Sequence, residues 1–252
     1  MGFGAGSMAW AEGNAANDCV GVSGLDRVHI LDKPVWAALT GRQTGFALGE
    51  GPVRRFAVEI GPLSGCVDQT DASLAAFGRL ECGEDGLWLL EAQEVAAPAG
   101  MAVKLRAACV QMVAREILGA EGCGFEVCSL GEADAAEMLE LALLTKPGPF
   151  AIGTHRLGEF IGVRVGGKLV AMAGERMRPV GYCEVSGVCT HPDFRGKGHA
   201  SGLMRIVARR ILARGERPFL HSYSNNLGAI GLYESLGFVK RREVHLTVLG
   251  GG

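Results

Sequence analysis

The feature that most constrains this chain is the run Val188-Cys189-Thr190-His191-Pro192-Asp193-Phe194-Arg195-Gly196-Lys197-Gly198-His199-Ala200, which passes from an apolar strand through a turn into an amphipathic helix. The helix is expected from Gly198 to Arg214. Ala200, Leu203, Met204, Val207, Ala208, Ile211 and Leu212 make an apolar stripe at helical spacing, and Gly215 stops it. Arg205, Arg209 and Arg210 fall off that stripe, toward water. A helix start carries backbone N–H groups without partners and the positive end of the macrodipole, so it stabilises an anion such as a pyrophosphate. Gly196 and Gly198 remove the side chains that would hold a phosphate off the backbone, and Arg195 adds a forked cationic donor.

Two familiar glycine templates fit poorly. A dinucleotide fingerprint requires G-x-G-x-x-G, whereas the spacing here is Gly196-x-Gly198-x-x-x-Gly202, with no clear acidic ribose partner afterwards. A P-loop over Gly162 to Lys168 would need a hydroxyl residue next, and Leu169 stands there. Gly166-Gly167 reads instead as a hairpin turn between two alternating strands.

The third template is R/Q-x-x-G-x-G/A, and Arg195-Gly196-Lys197-Gly198-His199-Ala200 matches it at each fixed position. Flanking it, in order, are Glu184-Val-Ser-Gly-Val-Cys-Thr-His-Pro192 and Asn226-Leu-Gly-Ala-Ile-Gly-Leu-Tyr-Glu-Ser-Leu-Gly-Phe238. Together these resemble the acetyl-CoA pyrophosphate loop and its surroundings in the GNAT superfamily of N-acetyltransferases. The branch it resembles is the one whose C-terminal half is like glycine N-acyltransferase. The match covers about half the chain firmly.

The resemblance implies roles for particular residues. Val188, Cys189 and Thr190 match the strand segment whose backbone pairs with the pantetheine arm, where an N–H would polarise the thioester carbonyl as a one-donor oxyanion hole. Arg195, Gly196, Lys197, Gly198, His199 and Ala200 would form the coenzyme loop, with Lys197 reaching the 3′-phosphate or simply solvated. Asn226 is expected to cap the next helix and touch the coenzyme. Tyr233 matches the tyrosine that protonates the departing thiolate, a suitable acid because a phenol titrates above a thiol; an aromatic core residue is the plainer reading.

For the base, Glu184 lies an even number of residues before Val188 and so on the same strand face, where Val185 and Val188 would desolvate its carboxylate and raise its pKa. A charged edge of an open strand explains the same residue. His221 is a second candidate, since imidazole titrates near neutrality; a capped core histidine is the alternative. His191 and His199 read as residues of shape or solvent contact. Cys189, among apolar neighbours, lacks a base to make it a nucleophile. Leu144 to Phe150 and Thr154-His155-Arg156 lie where the superfamily builds its acceptor pocket.

Composition bounds the partners. Lys plus Arg number 25 against 27 Asp plus Glu, so no nucleic-acid or anionic-membrane partner is implied and any anion site must be local. No apolar run approaches the roughly 20 residues of a membrane span, and the N-terminus lacks a signal-peptide pattern, so the expected compartment is the cytoplasm. The 8 cysteines show no C-x-x-C spacing and read as reduced core residues, with no metal expected. A homodimer is compatible with the sequence.

Along the chain, residues 1–24 read as a disordered leader, and Met8 is an alternative start. A short helix is expected from Pro34 to Leu39. A hairpin of Phe46 to Leu48 with Val53 to Ile60 follows, then a helix capped by Asp71 and a strand from Leu87 to Val95. Ala102 to Ile117 fits helix or strand, and the family resemblance favours strand. Gly119 to Gly124 reads as the one interior linker. Beyond it come strand Phe125–Ser129, helix Glu132–Thr145, strands Phe160–Val165, Leu169–Arg176 and Tyr182–Thr190, the long helix, strand Pro218–Ser222, helix Leu227–Leu236 and strand Val239–Leu249. The fold expected is an α/β mixed sheet: a GNAT domain over 124–252 behind a smaller α/β domain over 25–119, degenerate and GNAT-like.

The expected activity is acetyl-CoA-dependent N-acetyl transfer to a primary amine of a small molecule or amino acid, by direct attack in a ternary complex. The competing class is a non-catalytic acyl-CoA-binding regulator.

Overall fold

The computed structural model describes residues 28–120 and 122–251. The expected leader over 1–24 lies outside the described residues. Among the described residues, eleven strands form one mixed sheet: β1 (Ala47–Leu48), β2 (Val53–Phe56), β3 (Leu63–Cys66), β4 (Leu87–Glu91), β5 (Met101–Val113), β6 (Cys128–Leu130), β7 (Phe160–Val165), β8 (Lys168–Glu175), β9 (Tyr182–Thr190), β10 (Arg217–Tyr223) and β11 (Val239–Gly251). The helices are α1 (Pro34–Leu39), α2 (Asp71–Phe77), α3 (Ala135–Thr145), α4 (His199–Ala213) and α5 (Leu227–Ser235). No helix among the described residues is long and apolar enough to cross a membrane.

The strand order is β1-β2-β3-β4-β11-β5-β10-β9-β8-β7-β6. The expected boundary at 119–124 separates β5 from β6 along the chain, but the sheet crosses it: β5 lies between β11 and β10, bonded antiparallel to both. Within Ala102 to Ile117 the strand alternative holds: β5 runs Met101–Val113, 13 residues paired along β11, and residues 114–117 lie beyond it. Its preference for strand is set by these two neighbours, a non-local cause that propensity does not carry. β3 is not among the expected elements. It is short, contains Ser64 and Gly65, and is completed by a parallel pairing with β4.

Several boundaries shift for local reasons. Thr70, not Asp71, caps α2, because its hydroxyl accepts the Ser73 N–H and leaves Asp71 in the first turn. β2 ends at Phe56, and the chain then turns so that Val58 is exposed rather than alternating inward. Arg209 does not simply face water. Its guanidinium donates to the carbonyls of Gly119 and Ala120 at 2.6 and 3.0 Å, tying the linker to α4.

Cores form on both faces of the sheet. Leu203, Met204, Val207, Ala208 and Ile211 of α4 pack on Val110 and Met112 of β5, Val185 of β9 and Leu220 of β10. α3 covers the opposite face of β8 and β9 through Met138, Leu141, Met172 and Cys189. On that same side, α1 packs on β2, β3 and β4, its Val35 and Leu39 joining a cluster that extends to Phe219, Val244 and Leu246 toward the sheet centre. Each such buried aliphatic side chain contributes about 1.5–3 kcal/mol relative to exposure.

The defect that matters lies in β9. Its register with β8 runs Gly174 to Ser186 and then Met172 to Cys189, so β9 carries an extra residue there. Gly187 sits in this bulge with φ 62°, and a β-carbon on it would lie 2.8 Å from the Phe160 ring. A bulge bends its strand and sharpens the twist. It also corrects the even-spacing expectation: Val188 packs with Cys183 and Val185 toward α4, whereas Glu184 faces the other side of the sheet.

Gly187→Val should lower stability by about 3 kcal/mol, combining left-handed strain with overpacking against Phe160. Urea unfolding measures it, and an unchanged midpoint would contradict the requirement for glycine in the bulge.

Candidate functional site

β9 and β10 are hydrogen-bonded in parallel only over Tyr182–Glu184 against Arg217–Phe219. Beyond Glu184, β9 stays on β8 and β10 stays on β5, so the two strands part and a cleft of about 790 Å³ opens between them. Its volume is that of an ordinary small-molecule site. The cleft joins the α4 side of the sheet, through Met204, Leu220 and Tyr233, to the other side, through Glu184, His221 and Tyr223.

At the α4 side lies the glycine loop. Gly198 caps α4 with φ 78°, and Gly196 has φ 76° with open space where a β-carbon would stand. Among the described residues, no backbone N–H from Gly196 to Ser201 has a hydrogen-bond partner; the helical ladder begins with Gly202 N–H to Gly198 O at 3.0 Å. Two buried polar atoms nearby are also unpartnered, Thr190 Oγ1 and His199 Nδ1. Unmade hydrogen bonds of this kind cost free energy unless a ligand or water completes them. The donor set, backbone amides with the Arg195 guanidinium beside them, matches a diphosphate, so the loop fits the pyrophosphate of coenzyme A.

The structure gathers most of the residues singled out from sequence. Val188, Cys189, Thr190, Arg195, Gly196, Gly198, His199, Ala200, Asn226, Tyr233, Glu184 and His221 all line the cleft. Lys197 does not; its ammonium lies over the Phe194 ring, 4.9 Å from the centroid. Asn226 caps α5 as expected, its Oδ1 accepting the Ala229 N–H at 3.3 Å. Burial raises the Cys189 thiol to about 11, which keeps it a neutral core thiol. Burial likewise raises the Tyr233 phenol above its ordinary value near 10, so it stays a proton donor. Its hydroxyl makes no hydrogen bond to another described residue.

Glu184 departs from expectation. Burial alone would push its carboxyl up, but Arg176 outweighs that by charge and by a two-pronged contact of 2.7 and 2.9 Å, and His221 Nδ1 adds a bond at 2.8 Å. The carboxyl is held at about 2, so the raised pKa expected from its valine neighbours is corrected to a depressed one. No local pattern points to Arg176, which is eight residues away but opposite across the β8–β9 hairpin.

His221 is also engaged on both ring nitrogens. Gln111, from β5, contacts Nε2 at 2.9 Å through its amide nitrogen, which also donates to Leu31 O at 2.8 Å. The amide oxygen of Gln111 accepts from Arg241 at 2.7 Å. These contacts orient the amide, so Nε2 of His221 accepts from Gln111 and Nδ1–H donates to Glu184. Nothing in the sequence pairs Gln111 with His221, because β5 reaches β10 only through the fold.

Of the expected acceptor loops, Thr145 to Pro149 line the cleft. Thr154, His155 and Arg156 do not: Thr154 bonds Ile60 O, and the other two hold Glu132.

Comparison with known proteins agrees with this geometry. The model of the FR47-like protein family matches residues 160–246. A GNAT-family protein from Novosphingobium aromaticivorans is 46% identical over 89% of this chain and 100% of its own, with a TM-score of 0.83. A GCN5-related N-acetyltransferase from Kribbella flavida shares the fold at 17% identity, with a TM-score of 0.54 over 86% of this chain and 96% of its own. No curated protein matches the chain. With its parted strands, its unpartnered loop amides and a relative this similar along nearly its whole length, the chain belongs to the GNAT family of N-acetyltransferases, which transfer an acyl group from acyl-CoA.

Proposed function

We propose that this enzyme uses acetyl-CoA to acetylate a primary amine of a small molecule or amino acid, by direct attack within a ternary complex. The observation that carries the reading is the row of unpartnered amides from Gly196 to Ser201, opening on the gap between β9 and β10. Those amides and Arg195 hold the diphosphate, and the free edge of β9 at Val188, Cys189 and Thr190 holds the pantetheine arm, a backbone N–H there polarising the thioester carbonyl. The acetyl thioester supplies the electrophilic carbon. The half of the chain over 25–119 limits the acceptor.

The acceptor amine enters from the Glu184 side and must be neutral to attack. Its nitrogen forms the new C–N bond as the C–S bond breaks, and the nitrogen gives up a proton. Glu184, held at about 2, orients the amine or a water as a fixed anion and does not retain the proton, which passes to solvent. His221 and Arg176 keep that anion in place. Tyr233 delivers the proton that the departing thiolate needs, leaving an amide and a free thiol. Its raised pKa keeps it loaded throughout the working range.

Tyr233→Phe should lower turnover by about 10- to 100-fold while leaving coenzyme A affinity unchanged. Thiol release and calorimetry read the two quantities, and an unaltered rate would remove the acid role. Gly198→Val should abolish coenzyme A binding with the fold retained, since the αL cap excludes a branched residue. Coenzyme A bound by the wild type without thiol release from any amine would leave a binding protein, not an enzyme.

The pH dependence follows from the same pKa directions. Glu184 is ionised at every pH above about 2, so kcat/KM should show no carboxylate inflection near neutrality and should rise with the amine's own deprotonation, toward about 10. Because Tyr233 is raised, the falling limb should lie above pH 10. A rising limb centred near pH 6 that Glu184→Gln removes would contradict this and restore Glu184 as a proton-retaining base.

A further inference from the structure

The acceptor end of the cleft is built by strands far from the glycine loop. Leu63 of β3, Trp88 and Leu90 of β4, Leu246 of β11 and Cys109 of β5 all line it. Their registers place them on one face. Leu63 sits opposite Trp88, Leu90 opposite Leu246, and Cys109 opposite Tyr223 of β10. Tyr223 lies two residues from His221, whose strand pairs Phe219 with Glu184. An apolar wall thus runs across the sheet directly toward the carboxylate that meets the amine. Leu90, Cys109 and Leu246 each keep about 5% of their surface open, whereas Leu87, Leu89 and Val244 on the same strands keep none.

Charge narrows the ligand further. Glu184 is the one carboxylate among the described lining residues, and Arg176 already neutralises it. A second ammonium group on the acceptor would find no partner there, whereas an apolar group gains by leaving water for this wall.

We infer that the acceptor is a monoamine carrying an aromatic or branched aliphatic group, which docks on Leu63, Trp88, Leu90, Cys109 and Leu246 with its nitrogen toward Glu184. This rests on the acyl-transfer reading above and names its substrate class. Small polar amines and polyamines are poor acceptors. Trp88, half-buried at the wall, is a specificity-determining residue.

The test compares phenethylamine and isoamylamine with glycine and putrescine in thiol release from acetyl-CoA, on the full chain. The apolar amines should lead by about tenfold or more in kcat/KM. Trp88→Ala should weaken apparent binding of phenethylamine, read as its Michaelis constant, by about tenfold, with that for glycine and the affinity for coenzyme A unchanged. Cys109→Ser, which exchanges the thiol for a slightly smaller and more polar hydroxyl, should act in the same direction should Trp88→Ala fold poorly. Faster reaction with glycine or putrescine, or a preference untouched by both variants, overturns the inference. Coenzyme A calorimetry separates the two readings: without coenzyme binding the acyl-transfer reading fails. Calorimetry with phenethylamine alone then decides the apolar site, its binding, weakened by Trp88→Ala, supporting the inference and its absence overturning it.

Discussion

The structure turns on a pairing that stops. β9 and β10 share hydrogen bonds only as far as Glu184 and Phe219, and the bulge at Gly187 then carries β9 away. A sheet that continued would bury its backbone groups in ladder bonds and leave no room for a ligand. Because it parts, the next segment of β9 offers a bare edge, and the loop after it delivers α4 with its first amides unpaired. The bulge persists only because glycine tolerates φ 62° and leaves the Phe160 ring undisturbed.

The gap also assigns the two faces of the sheet different work. α4 and α5 cover one face, where the glycine loop and Tyr233 sit; the other face presents Glu184, His221 and the apolar wall of β3, β4, β5 and β11. The cleft connects them through the gap, so in the proposed reaction donor and acceptor meet across a sheet rather than within a pocket on one side. The polar chain Arg241–Gln111–His221–Glu184–Arg176 runs across neighbouring strands at this junction. Each of its contacts fixes a neighbour's orientation, which is what a fixed anion beside a reacting amine requires.

Legibility in the sequence followed the range of the interactions involved. The glycine-rich turn, α4 and the Asn226 cap are local patterns, readable because helix periodicity, a cap and a short loop are set by near neighbours, whereas Tyr233 enters only through the family resemblance. Glu184, singled out from the sequence, does line the cleft, but its ionisation was not readable, because Arg176 faces it across a hairpin and the bulge breaks the even spacing to Val188. Gln111, which contacts His221, and Trp88 and Leu246, which line the cleft, carry no signal in the sequence, since each enters through strand pairing between distant parts of the chain. The same cause hid β3 and left β5 undecided between helix and strand.

Amide hydrogen exchange with and without coenzyme A tests the central claim most directly, since it reads the groups themselves. Coenzyme A should slow exchange most at the amides from Gly196 to Ser201 and along β9 from Val188 to Thr190, with little change in β1 to β4. Unchanged exchange at the loop amides in the presence of saturating coenzyme A, or protection confined to another part of the chain, would contradict it.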